Sequence, residues 1–252
     1  MIYVMSDIHG NMRRFNSIMK QINLTENDTL YILGDVIDRY HDGIKILRKI
    51  MAMDNVKMLL GNHEYMMLQS IYYNGIGMDS KKLHGNYGIL RLWYDNGGYV
   101  THNYLKHIKK SIRAEIFEYL DALPVSINLT VNDKKFKLVH AAPEEMYTDY
   151  YSFRYRDIKE FVVWHRLHKH DTIPGDYTLI YGHTPTVNFQ DDVPLKIYHR
   201  DHGINIDCGA GTAEKPDLFH CFCFGRLACL RLDDMKEFYS EEDYKIEKNE
   251  QT

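Results

Sequence analysis

No apolar run in this 252-residue chain approaches the roughly 18 residues that a bilayer-spanning helix needs, so a membrane protein is not expected. Cysteine is scarce: four in a chain of this length do not suggest a disulfide scaffold. An excess of positive charge is missing too, since 31 Lys and Arg stand against 35 Asp and Glu, for a formal net charge of −4. A nucleic-acid binder would carry a basic footprint. The longest basic cluster, Lys106 to Arg113, reads instead as one face of a polar helix. The first residues, Met1-Ile2-Tyr3-Val4-Met5, have no basic flank or cleavage site and read as a buried strand, not a leader. Together these absences lead to the expectation of a reduced, cytoplasmic protein with no membrane or nucleic-acid partner.

What the sequence does have is a recurring junction, in which a short apolar run ends and a polar residue able to bind metal or phosphate follows at once. Ile2–Met5 leads to Ser6-Asp7-Ile8-His9-Gly10, and Leu30–Leu33 to Gly34-Asp35-Val36-Ile37-Asp38-Arg39. Val56–Leu60 leads to Gly61-Asn62-His63-Glu64, Phe136–Val139 to His140, Tyr177–Tyr181 to Gly182-His183, and Ile204–Ile206 to Asp207. Apolar runs of this length suit strands buried on both faces. Helical spacing follows some of them: Met12, Phe15, Met19 and Ile22 form one stripe, with Asn11 as N-cap, and Ile44, Leu47 and Met51 form another. Strand, loop, helix, strand predicts an α/β fold, in which ligands bind at the carboxyl ends of strands. All the polar junctions lie at that end.

The expected organisation is one domain over residues 1–238 with a polar tail at 239–252. A helical insertion at about 72–123 carries Gly75, Gly77, Gly97 and Gly98, then the helical pattern Ile108, Ile112, Ile116 and Leu120. A second irregular stretch, about 143–175, carries Trp164, Arg166 and several histidines. The end of the chain reads as a β-meander: Leu218 to Phe224, a Gly225-Arg226 turn, then Leu227 to Leu232.

Asp7, His9, Asp35, Asn62, His140 and His183 are mixed oxygen and nitrogen donors, the set that two divalent ions sharing one carboxylate need. Such a pair would bind phosphate oxygens and lower the pKa of a bridging water to give a hydroxide nucleophile. The motifs Asp-x-His-Gly, Gly-Asp-x-x-Asp-Arg, Gly-Asn-His-Glu, a strand-final His and Gly-His-Thr, in that order, resemble the calcineurin-like metallophosphoesterases. Glu64 and the Asp38-Arg39 pair look like the phosphoprotein phosphatase branch, and Asn96-Gly97-Gly98 with Thr101 and Leu120 to Pro124 are similar to bacterial members of that branch.

The resemblance implies a four-layer α/β/β/α sandwich of two mixed sheets with the metal site at the strand ends. It implies that Asp7, His9 and Asp35 hold one ion, and that Asp35 bridges to a second held by Asn62, His140 and His183. Manganese is the expected metal, with iron or zinc as alternatives. It further implies that His63 is the general acid, that Asp38 orients it, and that Arg39 and Arg166 grip the phosphate, with Arg154 and Arg156 competing for the place of Arg166. The second motif continues Arg39-Tyr40-His41 where the eukaryotic enzymes have Arg-Gly.

The leading expectation is therefore phosphomonoester hydrolysis, with phosphoserine or phosphothreonine of proteins as substrate. Dinucleoside polyphosphate hydrolysis is the alternative within the same chemistry, and a metal-binding scaffold without catalysis is the alternative outside it. Other features receive plain structural readings. His165, His168 and His170 read as a solvated stretch, Cys221, Cys223 and Cys229 as buried hydrophobes, and Tyr147, Tyr150, Tyr151 and Tyr155 as packing.

Overall fold

Alternation along the strands divides the apolar side chains between two faces, and this builds the layers. In β1 (Ile2–Met5), Tyr3 and Met5 join one core and Val4 another. In β2 (Thr29–Ile32), Leu30 and Ile32 follow the first core and Tyr31 the second. The structure, a computed structural model, describes residues 1–72, 87–192, 194–212 and 225–241. Among them β1, β2 and β3 (Val56–Met58) pair in parallel. On the other side of β1, β9 (Ala228–Arg231) and β10 (Lys236–Tyr239) add antiparallel, giving the order β10-β9-β1-β2-β3.

The second sheet runs β4-β5-β6-β8-β7. Its strands are β4 (Ser126–Val131), β5 (Lys134–Val139), β6 (Thr178–Tyr181), β7 (Tyr198–Arg200) and β8 (Gly203–Asn205). β5, β6 and β8 are parallel, with an antiparallel strand at each edge. Val4, Tyr31, Leu33 and Leu59 from the first sheet meet Phe136, Leu138, Ile180 and Ile204 from the second in one buried cluster, so the two sheets are stacked face to face.

The outer face of the first sheet is covered by α1 (Met12–Ile22), α2 (Gly43–Met51), α3 (Asn62–Met67), α4 (Tyr87–Asp95), α5 (Tyr99–Lys106) and α6 (Lys110–Asp121). On the outer face of the second, Phe161 and Val162 of α7 (Ile158–Trp164) pack against Val139, Leu179 and Tyr181. The result is the four-layer sandwich. No helix among the described residues is long and apolar enough to cross a membrane.

Several local expectations need correction. Asn11 does cap α1, accepting the Arg14 N–H at 3.1 Å, but the buried stripe is Arg14, Phe15, Ile18 and Ile22, with Met12 and Met19 only partly covered. The Lys106–Arg113 cluster is not one helix face. It straddles the α5–α6 junction, and Arg113 turns inward to donate to the Leu105 carbonyl at 2.9 Å. The terminal hairpin turns at 232–235 between β9 and β10, and both edges of β9 are occupied by β1 and β10. The expected strand over Leu218 to Phe224 lies outside the described residues, as do Cys221, Cys223, Gly75 and Gly77 and most of the tail.

Candidate metal and catalytic site

Beyond the last strand residues, the loops after β1 and β2 keep bonding to each other. Asp7, His9 and Gly10 donate to the carbonyls of Gly34, Asp35 and Val36 at 3.2, 2.9 and 2.7 Å. Asp7, His9, Asp35, Asp38, Arg39 and His183 all have positive φ, between 49° and 72°. Such conformations cost of order 1–3 kcal/mol each and persist where the surroundings over-determine them. The strain is thus gathered where the polar side chains converge.

Glu64, at the start of α3, is one source of that over-determination. Its buried carboxylate accepts N–H groups from Asp35, Val36, Ile37 and Gly61 at 2.9, 2.9, 3.3 and 3.2 Å, clamping the β2 and β3 loops together. Burial raises its pKa. Gly61 is required there, since a Cβ would run into the Asp35 and Glu64 carboxylates.

The histidines are arranged as metal ligands are, with one ring nitrogen on a main-chain carbonyl and the other turned inward. His9 Nδ1 meets the Ile37 carbonyl at 3.3 Å, His140 Nδ1 the Leu33 carbonyl at 2.9 Å, and His183 Nε2 the Trp164 carbonyl at 3.1 Å. The inward nitrogens of His140 and His183 converge on Asn62 Oδ1, each at 2.9 Å. Burial holds the pKa of all three imidazoles below the usual histidine range, which keeps them neutral and able to donate a lone pair.

Asp35 lies between two clusters. His9 and His63 form one with it, and His140 and His183 the other, the donor atoms in each lying within 4.8 Å of one another. Asp35 Oδ2 is 3.7 Å from His9 Nε2, and Oδ1 is 3.5 Å from His140 Nε2. Burial and the neighbouring Asp7 carboxylate push the Asp35 pKa up, and Asp207 is raised by the same two causes. Asp7 accepts from Ser6 Oγ at 2.5 Å and from the His183 N–H at 3.0 Å, and so ties the first sheet to the second. Buried carboxylates crowded together with neutral imidazoles turned toward them fit a pair of divalent cations sharing Asp35.

His63 is buried beside this centre. Its Nδ1 bonds Asp38 Oδ2 at 2.6 Å, and its Nε2 faces Asp35 Oδ2 at 3.8 Å. Arg39 is exposed at the rim, and Arg166 donates to the His183 carbonyl and Thr184 Oγ1 at 3.1 and 3.2 Å. Of the competing arginines, Arg156 is held by Tyr65, Gln69 and Glu160, and Arg154 lies over the Tyr155 ring. His165 is buried against Phe161 while His168 and His170 are exposed, and they form no metal cluster among the described residues. Cys229 is buried, and Tyr151 and Tyr155 pack on Phe161, whereas Tyr150 is exposed. Next to the site, a pocket of about 270 Å³ is lined by Tyr65, Met66, Leu92, Arg156 and Trp164, among others. The ring of Trp164 stands 6.0 Å from that of His183.

Four side chains at the site had been given no specific role. Glu64 was read only as a family mark, and Asp207 only as one of the strand-end residues able to bind metal or phosphate. Ser6, and Trp93, whose indole N–H donates to Asp38 Oδ2 at 2.8 Å, carried no signal of their own, since each acts through a neighbour that is set by the fold.

The family model for calcineurin-like phosphoesterases matches residues 1–210. The chain belongs to that family. A symmetrical bis(5'-nucleosyl)-tetraphosphatase of Erwinia tasmaniensis is 35% identical to this chain over 82 residues, which is 32% of this chain and 29% of that protein. An uncharacterized protein of Methanocaldococcus jannaschii is 26% identical over 169 residues, 63% of this chain and 59% of that one. The chain thus spans less than two thirds of either relative's length. Among solved structures, a provisionally assigned diadenosine tetraphosphatase aligns with a TM-score of 0.57 at 16% identity, covering 96% of this chain and 93% of that one. A protein serine/threonine phosphatase of Saccharomyces cerevisiae aligns with a TM-score of 0.50 at 13% identity, covering 98% and 81%. At these identities the likeness is one of fold.

Proposed function

We propose that this phosphoesterase hydrolyses phosphate monoesters, with phosphoserine or phosphothreonine of proteins as the substrate class. The observation that carries the reading is the buried His63–Asp38 pair at 2.6 Å beside the Asp35 clusters. An alkoxide is a poor leaving group, so a proton delivered by a fixed imidazole lowers the barrier most for monoesters of alcohols. Asp7, His9 and Asp35 would hold one ion, and Asp35, Asn62, His140 and His183 the other, with manganese as the expected metal. When bound, the ions supply Lewis acidity and an activated water.

The chain's own groups do the rest. Asp38 holds Nδ1 of His63, which leaves Nε2 to give its proton to the departing oxygen. Arg39 and Arg166 bind the phosphate oxygens by charge-assisted hydrogen bonds and orient the ester.

A second reading, dinucleoside polyphosphate hydrolysis, is favoured by the pocket beside His183, whose Tyr65 and Trp164 rings offer apolar surface to a base. One panel separates the two. The protein is loaded with Mn²⁺ and given a phosphopeptide, p-nitrophenyl phosphate and diadenosine tetraphosphate, with and without a chelator. The proposal expects chelator-sensitive turnover that is fastest on the phosphopeptide. Faster cleavage of the dinucleotide would transfer the assignment to the second reading, and inactivity with every divalent ion tried would sink both.

A further inference from the structure

The Asn96-Gly97-Gly98 stretch with Thr101 takes no part in the chemistry above, yet it closes around Asp38 and Arg39. The Arg39 N–H donates to the Gly97 carbonyl at 3.2 Å, and the Asp38 N–H to Thr101 Oγ1 at 3.0 Å. Both residues have positive φ, 72° and 63°, so they depend on such outside bonds to hold their shape.

Trp93 completes the grip. This fully buried side chain donates its indole N–H to Asp38 Oδ2 at 2.8 Å, the same oxygen that holds His63 Nδ1 at 2.6 Å. The other oxygen, Oδ1, is buried and makes no hydrogen bond among the described residues. The carboxylate is therefore oriented by two donors on one oxygen and by nothing on the other. The indole is itself fixed. It stacks on the His102 ring at 5.6 Å, and Gly98 lies flush against it, where a Cβ would collide with the ring.

We infer that Trp93 is a positioning residue for His63, pinning the Asp38 carboxylate so that the imidazole keeps one orientation toward the leaving-group oxygen. The inference rests on the reading of His63 as the acid. The terminal torsion of an aspartate is broad and roughly two-fold, so hydrogen bonds, not intrinsic preference, choose which oxygen faces His63. Without the indole N–H, the carboxylate rotates and the imidazole follows it out of line. The loss falls on proton delivery, so it grows as the leaving group worsens, while phosphate binding is untouched.

The test uses four Mn²⁺-loaded full-length proteins: wild type, Trp93→Phe, His63→Asn and the double variant. Each is assayed on p-nitrophenyl phosphate, whose leaving group needs little protonation, and on an alkyl phosphate, which needs it. Because general acids contribute 10²- to 10⁴-fold, Trp93→Phe is expected to lower kcat on the alkyl ester about tenfold and on the nitrophenyl ester within about twofold. KM and bound metal stay unchanged, and in the His63→Asn background Trp93→Phe causes no further loss.

Equal losses on both esters, or a Trp93→Phe effect that persists without His63, would overturn the positioning role and leave the acid reading standing. A His63→Asn variant with no leaving-group dependence would remove the acid reading and the inference with it. Should Trp93→Phe not fold, a tryptophan analogue with sulfur in place of the ring N–H keeps the shape and deletes only the donor, and the same outcomes decide.

Discussion

Two segments flank the site, and they hold it by different means. The stretch from α4 to α5, outside the first sheet, grips Asp38 with side chains, the Trp93 indole and the Thr101 hydroxyl, and adds only the Gly97 carbonyl on the Arg39 N–H from its main chain. The stretch around α7, outside the second sheet, reaches in with its main chain, as the Trp164 carbonyl takes the ring nitrogen of His183. At the rim it adds the side chain of Arg166, which donates to the His183 carbonyl and Thr184 Oγ1. A side-chain grip is vulnerable to substitution, whereas a carbonyl survives any change that leaves the backbone in place. The first segment is therefore expected to be the less tolerant, and it holds Asp38, the partner of the proposed acid, while the second holds His183, a proposed ligand.

The strongest effect is expected at Asp35, which the two clusters share. Asp35→Asn removes the carboxylate common to the two clusters, and since even supporting groups around metals cost 10- to 100-fold, activity is expected to fall by more than about 100-fold. Metal content measured on the purified protein should fall with it. Retention of two ions per chain would break the assignment of Asp35 as the bridge.

Next comes His63, the proposed acid, whose partner Asp38 the first segment holds. His63→Asn is expected to lower kcat on alkyl phosphates about 100-fold while metal content holds. An unchanged rate would take His63 out of the chemistry and leave the α4–α5 grip without a purpose there.

The second segment is tested through Arg166→Ala. Losing one charge-assisted bond to phosphate is expected to raise KM about tenfold with a smaller change in kcat. A loss confined to kcat would show that the arginine acts on the transition state alone.

The smallest effect sharpens the comparison itself. Trp164→Phe keeps the carbonyl that holds His183, so activity on p-nitrophenyl phosphate is expected to stay within about threefold. A collapse comparable to that of His63→Asn would mean that the second segment also works through its side chain.

The strand-end junctions were legible because a buried strand must be apolar and the residue after it need not be, so Asp7, Asp35, Asn62, His140 and His183 stood out against what preceded them. Their convergence followed from the α/β pattern, which gathers ligands at one end of the strands. Glu64 was legible as part of a motif but not as a clamp, because its N–H partners in the β2 loop lie 27 to 29 residues away in the chain. Trp93 lies outside every motif read from the sequence, and only its 2.8 Å approach to Asp38, 55 residues away, gives it a role. On α1 the buried face carries Arg14 and Ile18 where Met12 and Met19 were expected, because sequence hydrophobicity alone does not foresee a buried Arg14, which is held by the Ala210 carbonyl at 2.7 Å.

The order of residues along the chain fixed the strands, the loop chemistry at their ends and the donor types that a pair of cations can use, since these depend on neighbours a few positions apart. Which oxygen of Asp38 faces His63, which nitrogen of each histidine turns inward and which arginine reaches the rim were decided only by the packed sheets and their covering helices. Hydrogen bonds act over about 3 Å, and only the three-dimensional arrangement brings residues far apart in the chain within that reach.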